Sequence, residues 1–427
     1  MLLGYLMIGA FMVLIMTKRV SALVALILVP VVFGLIAGHG ADLGEMAVGG
    51  ITKLAPTATS LLFAVLYFAV MIDAGLFDPL VNTVLRLAGD DPVKVTVGSA
   101  IVAALVSLDG DGATSVLITV TAFLPVYRRL GINPLILATL MGLAGTIANL
   151  TPWGGPTARV AAALHIDLSD VFVPLIPTMV VGLVSTVLIA WYLGRQERKR
   201  LALQPTHIEE SNSGIAFERD MSLARPQLFW VNFALTVLVF VAVIGQLAPL
   251  PMVFMIGFAI ALMINYPNLE VQRGRLQAYA VNALPITVLI LAAGIFTGIL
   301  AGSGMTDAMA KGVMTIVPAQ LGPYLGVITG FLSAPLTFAL SNDAYYFGVV
   351  PVIAETASHY NVAPEVIARA SLLAMPIHGL SPLVAALYLM AGLIGRDVAA
   401  LQRFGLKWAA LATLILIATA TITGAIH

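Results

Sequence analysis

The chain has 427 residues, of which 60% are hydrophobic and only 10% are charged, and its mean hydropathy is +1.02. Lysine and arginine together number 21, as do aspartate and glutamate, so no excess of positive charge argues for binding nucleic acid. This composition excludes a soluble globular protein and predicts an all-α polytopic membrane protein.

The apolar segments fall into two groups of five around a polar stretch at residues 194–226, which is predicted to be a linker. Segments of this apolarity are predicted to be transmembrane spans. In the first half, residues 1–193, they are 2–16, 20–37, 57–77, 135–165 and 171–193. In the second half, residues 227–427, they are 227–247, 250–264, 281–302, 362–395 and 404–426.

Two shorter apolar runs, within residues 93–127, flank the sequence LDGDGAT at residues 108–114. Each run rises roughly 22 Å as a helix, whereas the core of a bilayer is about 30 Å thick. We therefore predict a re-entrant helical hairpin with Asp109 and Asp111 at its tip, because carboxylates at membrane depth need a wet or ion-filled cavity. The alternative is a solvated loop between two short transmembrane helices.

The distribution of basic residues predicts the orientation of the chain. If the linker is cytoplasmic, the basic residues of the loops lie almost entirely inside, and only Lys53 and Lys311 are clearly outside. This bias is expected of a correct topology, and it places both termini outside. It holds only if each hairpin returns to the side from which it entered.

The second half repeats landmarks of the first half in the same order. Pro134 and Pro152 are 18 residues apart, and so are Pro364 and Pro382. This spacing pairs the first hairpin tip with residues 340–343 and predicts a second hairpin at about residues 323–357. Because five spans is an odd number, the two repeats are predicted to be inverted across the membrane. Inverted repeats with paired hairpins and broken helices are typical of secondary transporters with a site near the bilayer midplane.

Each half contains one long interrupted span, at about residues 135–165 and 362–395. The interruptions read NLTPWGGP at residues 149–156 and HGLSP at residues 378–382. Proline and glycine unwind a helix, and the free N–H groups of the half-helix that follows favour an anion. The tips and breaks therefore supply the predicted substrate-binding residues: Gly110, Gly112, Ala113, Thr114, Asn149, Thr151, Pro152, Gly154, Gly155, Arg159, Ser341, Asn342, His378 and Ser381.

Four stretches carry a family resemblance: MTKR at residues 16–19, SLDGDGAT at 107–114, NLTPWGGPTAR at 149–159 and LSND at 340–343. They resemble the citrate–divalent-metal:proton symporters, a bacterial family within the ion-transporter superfamily. The resemblance implies a bacterial inner-membrane protein that imports a metal–citrate complex together with protons. It also implies a homodimer in which a transport domain moves as an elevator against a scaffold.

The hairpin tips depart from another branch of the same superfamily. Dicarboxylate carriers have Ser-Asn-Thr triplets at these positions, whereas this chain has Asp109-Gly110-Asp111 and Ser341-Asn342-Asp343. The departure argues against sodium coupling through the tips. A sodium-coupled di- or tricarboxylate transporter is the alternative function.

The three tip aspartates have two candidate roles. A divalent cation lowers the charge of bound citrate to about −1, and Asp109, Asp111 and Asp343 are hard oxygen ligands of the kind that Mg²⁺ or Ca²⁺ prefers. Asp111 and Asp343, with His378 at the second break, are also candidate proton carriers. The structural alternative for each aspartate is to cap the helix that follows it.

Arg159 is the candidate clamp for a citrate carboxylate, with an interhelix carboxylate or the headgroups as alternative partners. Arg369 is the other arginine within a predicted span. A channel would need a continuous pore, whereas paired hairpins favour an occluded site. An intramembrane enzyme would need a motif such as His-Glu-x-x-His or Gly-x-Ser-x-Gly, and the sequence contains neither.

Overall fold

A computed structural model gives the fold and describes residues 2–110, 112–203, 221–314 and 318–427. All regular secondary structure within these ranges is helical. Six of the described helices are long and apolar enough to cross a bilayer, and six shorter apolar helices of 10–17 residues accompany them. The predicted class, an all-helical polytopic membrane protein, is confirmed.

The first half opens with short apolar helices, one long helix and one amphipathic helix. They are α1 (Leu2–Met16), α2 (Ala22–Ile36), α3 (Leu43–Ala74) and α4 (Asp78–Ala88). Ser21 caps α2 by accepting a hydrogen bond from the N–H of Val24. Gly75 ends α3 in the left-handed region, at φ 89°, where a residue with a Cβ is strained.

Two helices follow that fold back on each other, α5 (Pro92–Val106) and α6 (Gly112–Arg129), joined through a 3-10 turn at Ser107–Asp109. Asp91 caps α5, and its carboxylate also accepts a hydrogen bond from Arg198 that lowers the pKa of Asp91. At the end of α6, Arg129 Nη2 lies 2.6 Å from Asp90 Oδ1. The outer ends of the two arms therefore lie together at one face of the protein.

The first half ends with a broken helix and a long helix. They are α7 (Pro134–Ala148), α8 (Gly155–Leu164), the short α9 (Leu168–Phe172) and α10 (Ile176–Ala202). Near the end of α10, Glu197 Oε2 accepts a hydrogen bond of 2.9 Å from the N–H of Asn133, the residue that caps α7. The linker end of α10 is thus held beside the outer ends of α5, α6 and α7.

The second half begins with α11 (Phe229–Ile244), α12 (Leu250–Asn265), α13 (Leu269–Gly302) and α14 (Met305–Met314). A second pair of arms follows, α15 (Leu325–Ala339) and α16 (Val350–Ser358), with a π-helical turn at Ala344–Val349 leading into α16. The last helices are α17 (Pro364–Leu372), α18 (Met375–His378), α19 (Ala385–Ile394) and α20 (Val398–Ile422).

The helices α3 and α13 pack against each other in opposite directions. Gly50, near the start of α3, contacts Gly294 and Gly298 near the end of α13, and a Cβ on Gly50 would overlap the carbonyl oxygen of Gly294. At the opposite ends, the hydroxyl of Tyr279 donates a hydrogen bond of 2.6 Å to Asp73. Small residues at the crossing bring the two backbones into close contact, as is common where helices pack in membranes.

Both of these helices are longer than the apolar windows predicted. α3 begins at Leu43 instead of residue 57, and α13 begins at Leu269 instead of residue 281. Their first turns carry charged residues, including Glu45 and Glu270, which an apolar window excludes although the helix continues through them. At 1.5 Å per residue each helix is about 50 Å long, more than the roughly 30 Å of a bilayer core, so each is tilted or protrudes.

Candidate functional site

A cavity of about 400 Å³ lies where the two hairpin tips meet the two helix breaks. Its described lining comes from α6, α7, α8, α18 and α19, from both breaks, and from the two tips at Gly110 and at residues 341–343. Both halves of the chain therefore contribute to one site. Nine of the predicted site residues line it: Gly110, Gly112, Asn149, Gly155, Arg159, Ser341, Asn342, Asp343 and His378.

The first tip is held against the first break by a tryptophan. The indole nitrogen of Trp153 donates a hydrogen bond of 2.7 Å to the carbonyl oxygen of Leu108, and the Trp153 side chain is buried. Its ring packs against Phe68, Phe240 and Phe254, with centroids 5.3, 5.5 and 5.1 Å away. The tip is thus anchored through the break to aromatic residues of α3, α11 and α12.

The second tip is held against the second break by two side chains. His378 Nδ1 lies 2.7 Å from the carbonyl oxygen of Thr337, and Ser381 Oγ donates a hydrogen bond of 2.7 Å to the carbonyl oxygen of Phe338. Both carbonyls belong to the last turn of α15, where no intrahelical donor is left to pair with them. Because a carbonyl only accepts, Nδ1 of His378 carries the proton in this contact, and Nε2 takes no part in it.

Three helix N-termini reach the same cavity. Gly112 opens α6, Gly155 opens α8 and Ala385 opens α19, and all three line the cavity. The first N–H groups of a helix have no intrahelical acceptor and carry a partial positive charge. Their convergence makes the cavity suited to an anion without a cluster of lysine or arginine side chains.

One ion pair crosses the cavity. Arg159 Nε, on α8, donates a hydrogen bond of 2.7 Å to Asp343 Oδ1, at the second tip, and the two side chains are 16% and 19% exposed. The Asp343 side chain caps no helix, because the hydroxyl oxygen of Ser341 accepts the hydrogen bond from the N–H of Ala344 at 3.2 Å. The capping alternative for Asp343 is therefore wrong.

Two residues of the cavity lining each have a buried amide oxygen with no hydrogen-bond partner in the described structure. Asn149 Oδ1, at the first break, and Asn342 Oδ1, at the second tip, are buried, and neither has a hydrogen-bond partner among the described residues. Both residues line the cavity. Amide oxygens are neutral ligands for Mg²⁺ and Ca²⁺ and acceptors for a hydroxyl group, and these two form no hydrogen bond within the described structure that a ligand would have to replace.

Some predicted residues lie beside the cavity and do not line it. Thr151 is fully buried in the first break, and Ser381 is used in the bond to Phe338. The N–H of Gly154 donates to the carbonyl of Thr151, which folds the break into a turn. Five predicted substrate-binding residues have such positions: Thr114, Thr151, Pro152, Gly154 and Ser381.

Three predicted residues lie wholly or partly outside the described part of the chain. They are Asp111 and the side chains of Asp109 and Ala113. The capping alternatives for Asp109 and Asp111 lie there too. Arg369 is described and lies outside the cavity: its guanidinium donates to the backbone carbonyls of Ala425 and Asp170.

Sequence reasoning missed several lining residues that have no unusual chemistry. Met141, Thr146, Met375 and Met390 line the cavity through their positions on α7, α18 and α19. A methionine or threonine within an apolar run carries no signal of its own. The anchoring role of Trp153 was also missed, although its position within the break sequence TPWGGP was a visible signal.

The arrangement defines a class of protein. The fold is similar to that of two solved transporters. For MtrF of Neisseria gonorrhoeae the TM-score is 0.65 and the sequence identity 15%, over 90% of this chain and 84% of MtrF. For YdaH of Alcanivorax borkumensis the TM-score is 0.57 and the sequence identity 13%, over 89% of this chain and 88% of YdaH. At these identities the likeness concerns the fold alone. The fold is that of a polytopic membrane protein with the architecture of these two structures.

The family follows from sequence comparison. Residues 11–374 match the model of the citrate transporter family CitMHS. The chain is 49% identical to a Bacillus subtilis citrate transporter over 100% of this chain and 99% of that protein, and 45% identical to a Bacillus subtilis Mg(2+)/citrate complex secondary transporter over 100% and 98%. The chain belongs to the citrate transporter family and is a transporter, not an enzyme. The resemblance noted at the tips and breaks is confirmed.

Proposed function

We propose that this protein imports citrate complexed with a divalent metal ion, Mg²⁺ or Ca²⁺, in symport with protons. The observation that carries the proposal is the convergence of Arg159 and the N-termini of α8 and α19 on a cavity that also presents Asp343. The N–H groups and the guanidinium suit the carboxylates of citrate. The carboxylate and the amide oxygens of Asn149 and Asn342 suit the metal ion.

The charge of the described lining supports a metal complex over free citrate. Arg159 is the one lysine or arginine, and Asp343 the one acidic residue, among the described residues that line the cavity. A site with this balance has little to offset the three charges of free citrate, whereas a metal–citrate complex carries about one negative charge. The remaining predicted metal ligands, Asp109 and Asp111, would add further negative charge and favour the complex still more.

We infer that Asp343, His378 and Asp111 are the candidates for proton coupling. His378 supports this proposal because its Nδ1–H is held by the Thr337 carbonyl while the residue lines the cavity. That contact leaves Nε2 to take up and release a proton without loss of the ring's orientation.

We further propose that transport uses an elevator movement of inverted repeats. The order of helix lengths supports the repeats: α1 to α10 and α11 to α20 each give two short helices, one of more than 30 residues, a short amphipathic helix, a pair of arms and a broken helix. The antiparallel packing of α3 on α13 supports their inversion. The described cavity lining uses hairpins and broken helices and no residue of α1–α3 or α11–α13, so the site can move as one block.

The proposed topology places the linker in the cytoplasm and both termini outside. Arg129, Arg198 and Arg200 support it, because they lie at the end of α6 and the end of α10, beside the linker. The Trp153–Leu108 contact supports a tip within the protein over a solvated loop. We also propose a homodimer, which light scattering of the purified protein in detergent would test.

Uptake of labelled citrate into proteoliposomes under an inward proton gradient, measured with Mg²⁺, with Ca²⁺ and with a chelator, tests the proposal. We expect uptake that needs one of the metals and stops with a protonophore. Uptake that ignores the chelator and follows a sodium gradient would contradict the proposal and assign the protein to sodium-coupled di- or tricarboxylate transport.

A further inference from the structure

The Arg159–Asp343 ion pair joins the two halves of the chain within the cavity. The two residues are 184 positions apart, one on α8 and the other on the second tip. With a donor–acceptor distance of 2.7 Å and exposure below one fifth on both sides, the pair is held in a largely desolvated position. In such a position neither charge is left unpaired without a large penalty.

The surroundings of Arg159 limit how it binds a second anion. Its Nε is occupied by Asp343, and its Nη1 lies over the backbone of Gly155, where a Cβ would be only 2.9 Å away. A carboxylate binds a guanidinium best through two neighbouring N–H groups. A citrate carboxylate that binds through Nε and the neighbouring Nη2 therefore competes with Asp343 for the same edge of the guanidinium.

We infer that Asp343 occupies the Arg159 anion site in the empty carrier, and that citrate loads by exchanging carboxylates on this arginine. The inference rests on the proposed function and explains why citrate would need a metal. When a citrate carboxylate takes Arg159, the Asp343 carboxylate loses its counter-ion beside an anionic ligand. A divalent cation bound to citrate supplies the missing positive charge and accepts Asp343 as an oxygen ligand.

The neighbouring oxygens fit this exchange. Asn342 Oδ1, next to Asp343 in the chain, and Asn149 Oδ1, on the first break, are buried in the cavity lining and lack a hydrogen-bond partner in the described structure. They are neutral, so they can ligate the cation without adding negative charge. Asp343 caps no helix that would hold its carboxylate in place, since Ser341 makes the capping contact.

The exchange makes Asp343 the residue that rejects metal-free citrate. In the Asp343→Asn variant the side chain keeps its size and one oxygen, but it no longer neutralises Arg159. When citrate binds Arg159 in this variant, no carboxylate at position 343 loses its counter-ion. We expect this variant to bind citrate in the presence of a chelator. The measured quantity is the citrate affinity with the metal ion, Mg²⁺ or Ca²⁺, divided by the citrate affinity with a chelator. This ratio should be at least about tenfold lower in the variant than in the wild type.

Equilibrium binding of labelled citrate to purified protein, with each metal and with a chelator, measures this ratio. Asp307→Asn is the matched control, because Asp307 also pairs with a cation, Lys311 at 3.0 Å, but lies outside the cavity. The control should keep the wild-type ratio. Thermal unfolding and gel filtration of each variant establish that it is folded.

A second variant tests the other side of the pair. In Arg159→Gln the Asp343 carboxylate is unpaired and the citrate clamp is absent, so citrate binding should be lost with and without metal. If folded Asp343→Asn protein kept the wild-type ratio, or bound no citrate under either condition, the exchange would be refuted. If the wild type itself bound citrate equally well with a chelator, the proposed function would fail before any variant is considered.

Discussion

The indole nitrogen of Trp153 donates a hydrogen bond of 2.7 Å to the carbonyl oxygen of Leu108, which joins the first helix break to the first hairpin tip. The same ring packs on Phe68 of α3, Phe240 of α11 and Phe254 of α12. In the described structure these three helices add nothing to the cavity lining, whereas the break and the tip do. Trp153 therefore links the helices that form the site to the helices around it.

The Trp153→Phe variant keeps an aromatic ring but removes the N–H donor. The partly buried Leu108 carbonyl then lacks its partner, which costs about 1–3 kcal/mol. A change of about 1.4 kcal/mol in free energy alters the ratio of correctly placed to displaced tips about tenfold. We therefore expect citrate uptake in proteoliposomes to fall about tenfold.

Trp230→Phe is the control for this change, since Trp230 is 74% exposed on α11. Its uptake should equal that of the wild type. Equal uptake by Trp153→Phe and Trp230→Phe would show that the indole bond does not position the tip.

Gly110 has a backbone conformation that an L-residue with a side chain rarely adopts. Its φ is +79°, and a Cβ would lie 3.0 Å from Trp153 Cδ1 and 3.3 Å from the Trp153 carbonyl oxygen. Gly110→Ala should therefore destabilise the tip by about 1–2 kcal/mol from the backbone conformation alone, and lower citrate affinity. Citrate binding measures the effect, with Gly392→Ala on α19, where the Cβ meets open space, as the control. Wild-type affinity in Gly110→Ala would contradict this description of the tip.

Adjacent glycines on α3 test the crossing with α13. Gly50→Ala places a methyl group against the backbone of Gly294 and Gly298, so the two helices must move apart. We expect a loss of stability of about 1–3 kcal/mol, typical of overpacking in a tight interface. Thermal unfolding in detergent measures it.

The neighbouring Gly49→Ala variant meets no atom within 4 Å and should be neutral or slightly stabilising, because alanine favours a helix more than glycine does. Similar unfolding temperatures for the two variants would mean that α3 and α13 do not cross as described.

His378→Asn tests proton coupling. The amide nitrogen of asparagine reaches nearly the position of Nδ1, so the bond to the Thr337 carbonyl is retained while the ionisable Nε2 is lost. We expect folded protein whose uptake no longer rises with an inward proton gradient, because asparagine has no ionisable group at this position. His39→Asn, in the loop between α2 and α3, is the control and should respond as the wild type does. An unchanged response in His378→Asn would remove His378 from the proton path.

Several features of the site were visible along the chain because they depend on local chemistry. The long helices continue through single prolines such as Pro56 and Pro285, whereas two prolines and two glycines within residues 152–156 interrupt the helix, so the break between Ala148 and Gly155 falls within the sequence NLTPWGGP. The break after His378 likewise falls in HGLSP. Helix starts were harder to predict: α3 and α13 begin more than ten residues earlier than expected, because a charged first turn is stable in a helix that extends beyond the bilayer.

The sequence by itself determined the class of protein, since a chain this apolar with so few charges has a bilayer as its solvent. It also indicated the tips and breaks as the site, because backbone-unwinding residues and aspartates are costly at membrane depth unless they serve a function. Only the tertiary structure decided that Arg159 pairs with Asp343, that Arg369 binds backbone carbonyls and that Trp153 anchors the tip. These contacts join residues 45 to 199 positions apart, and their geometry depends on how whole helices pack, which no local pattern encodes.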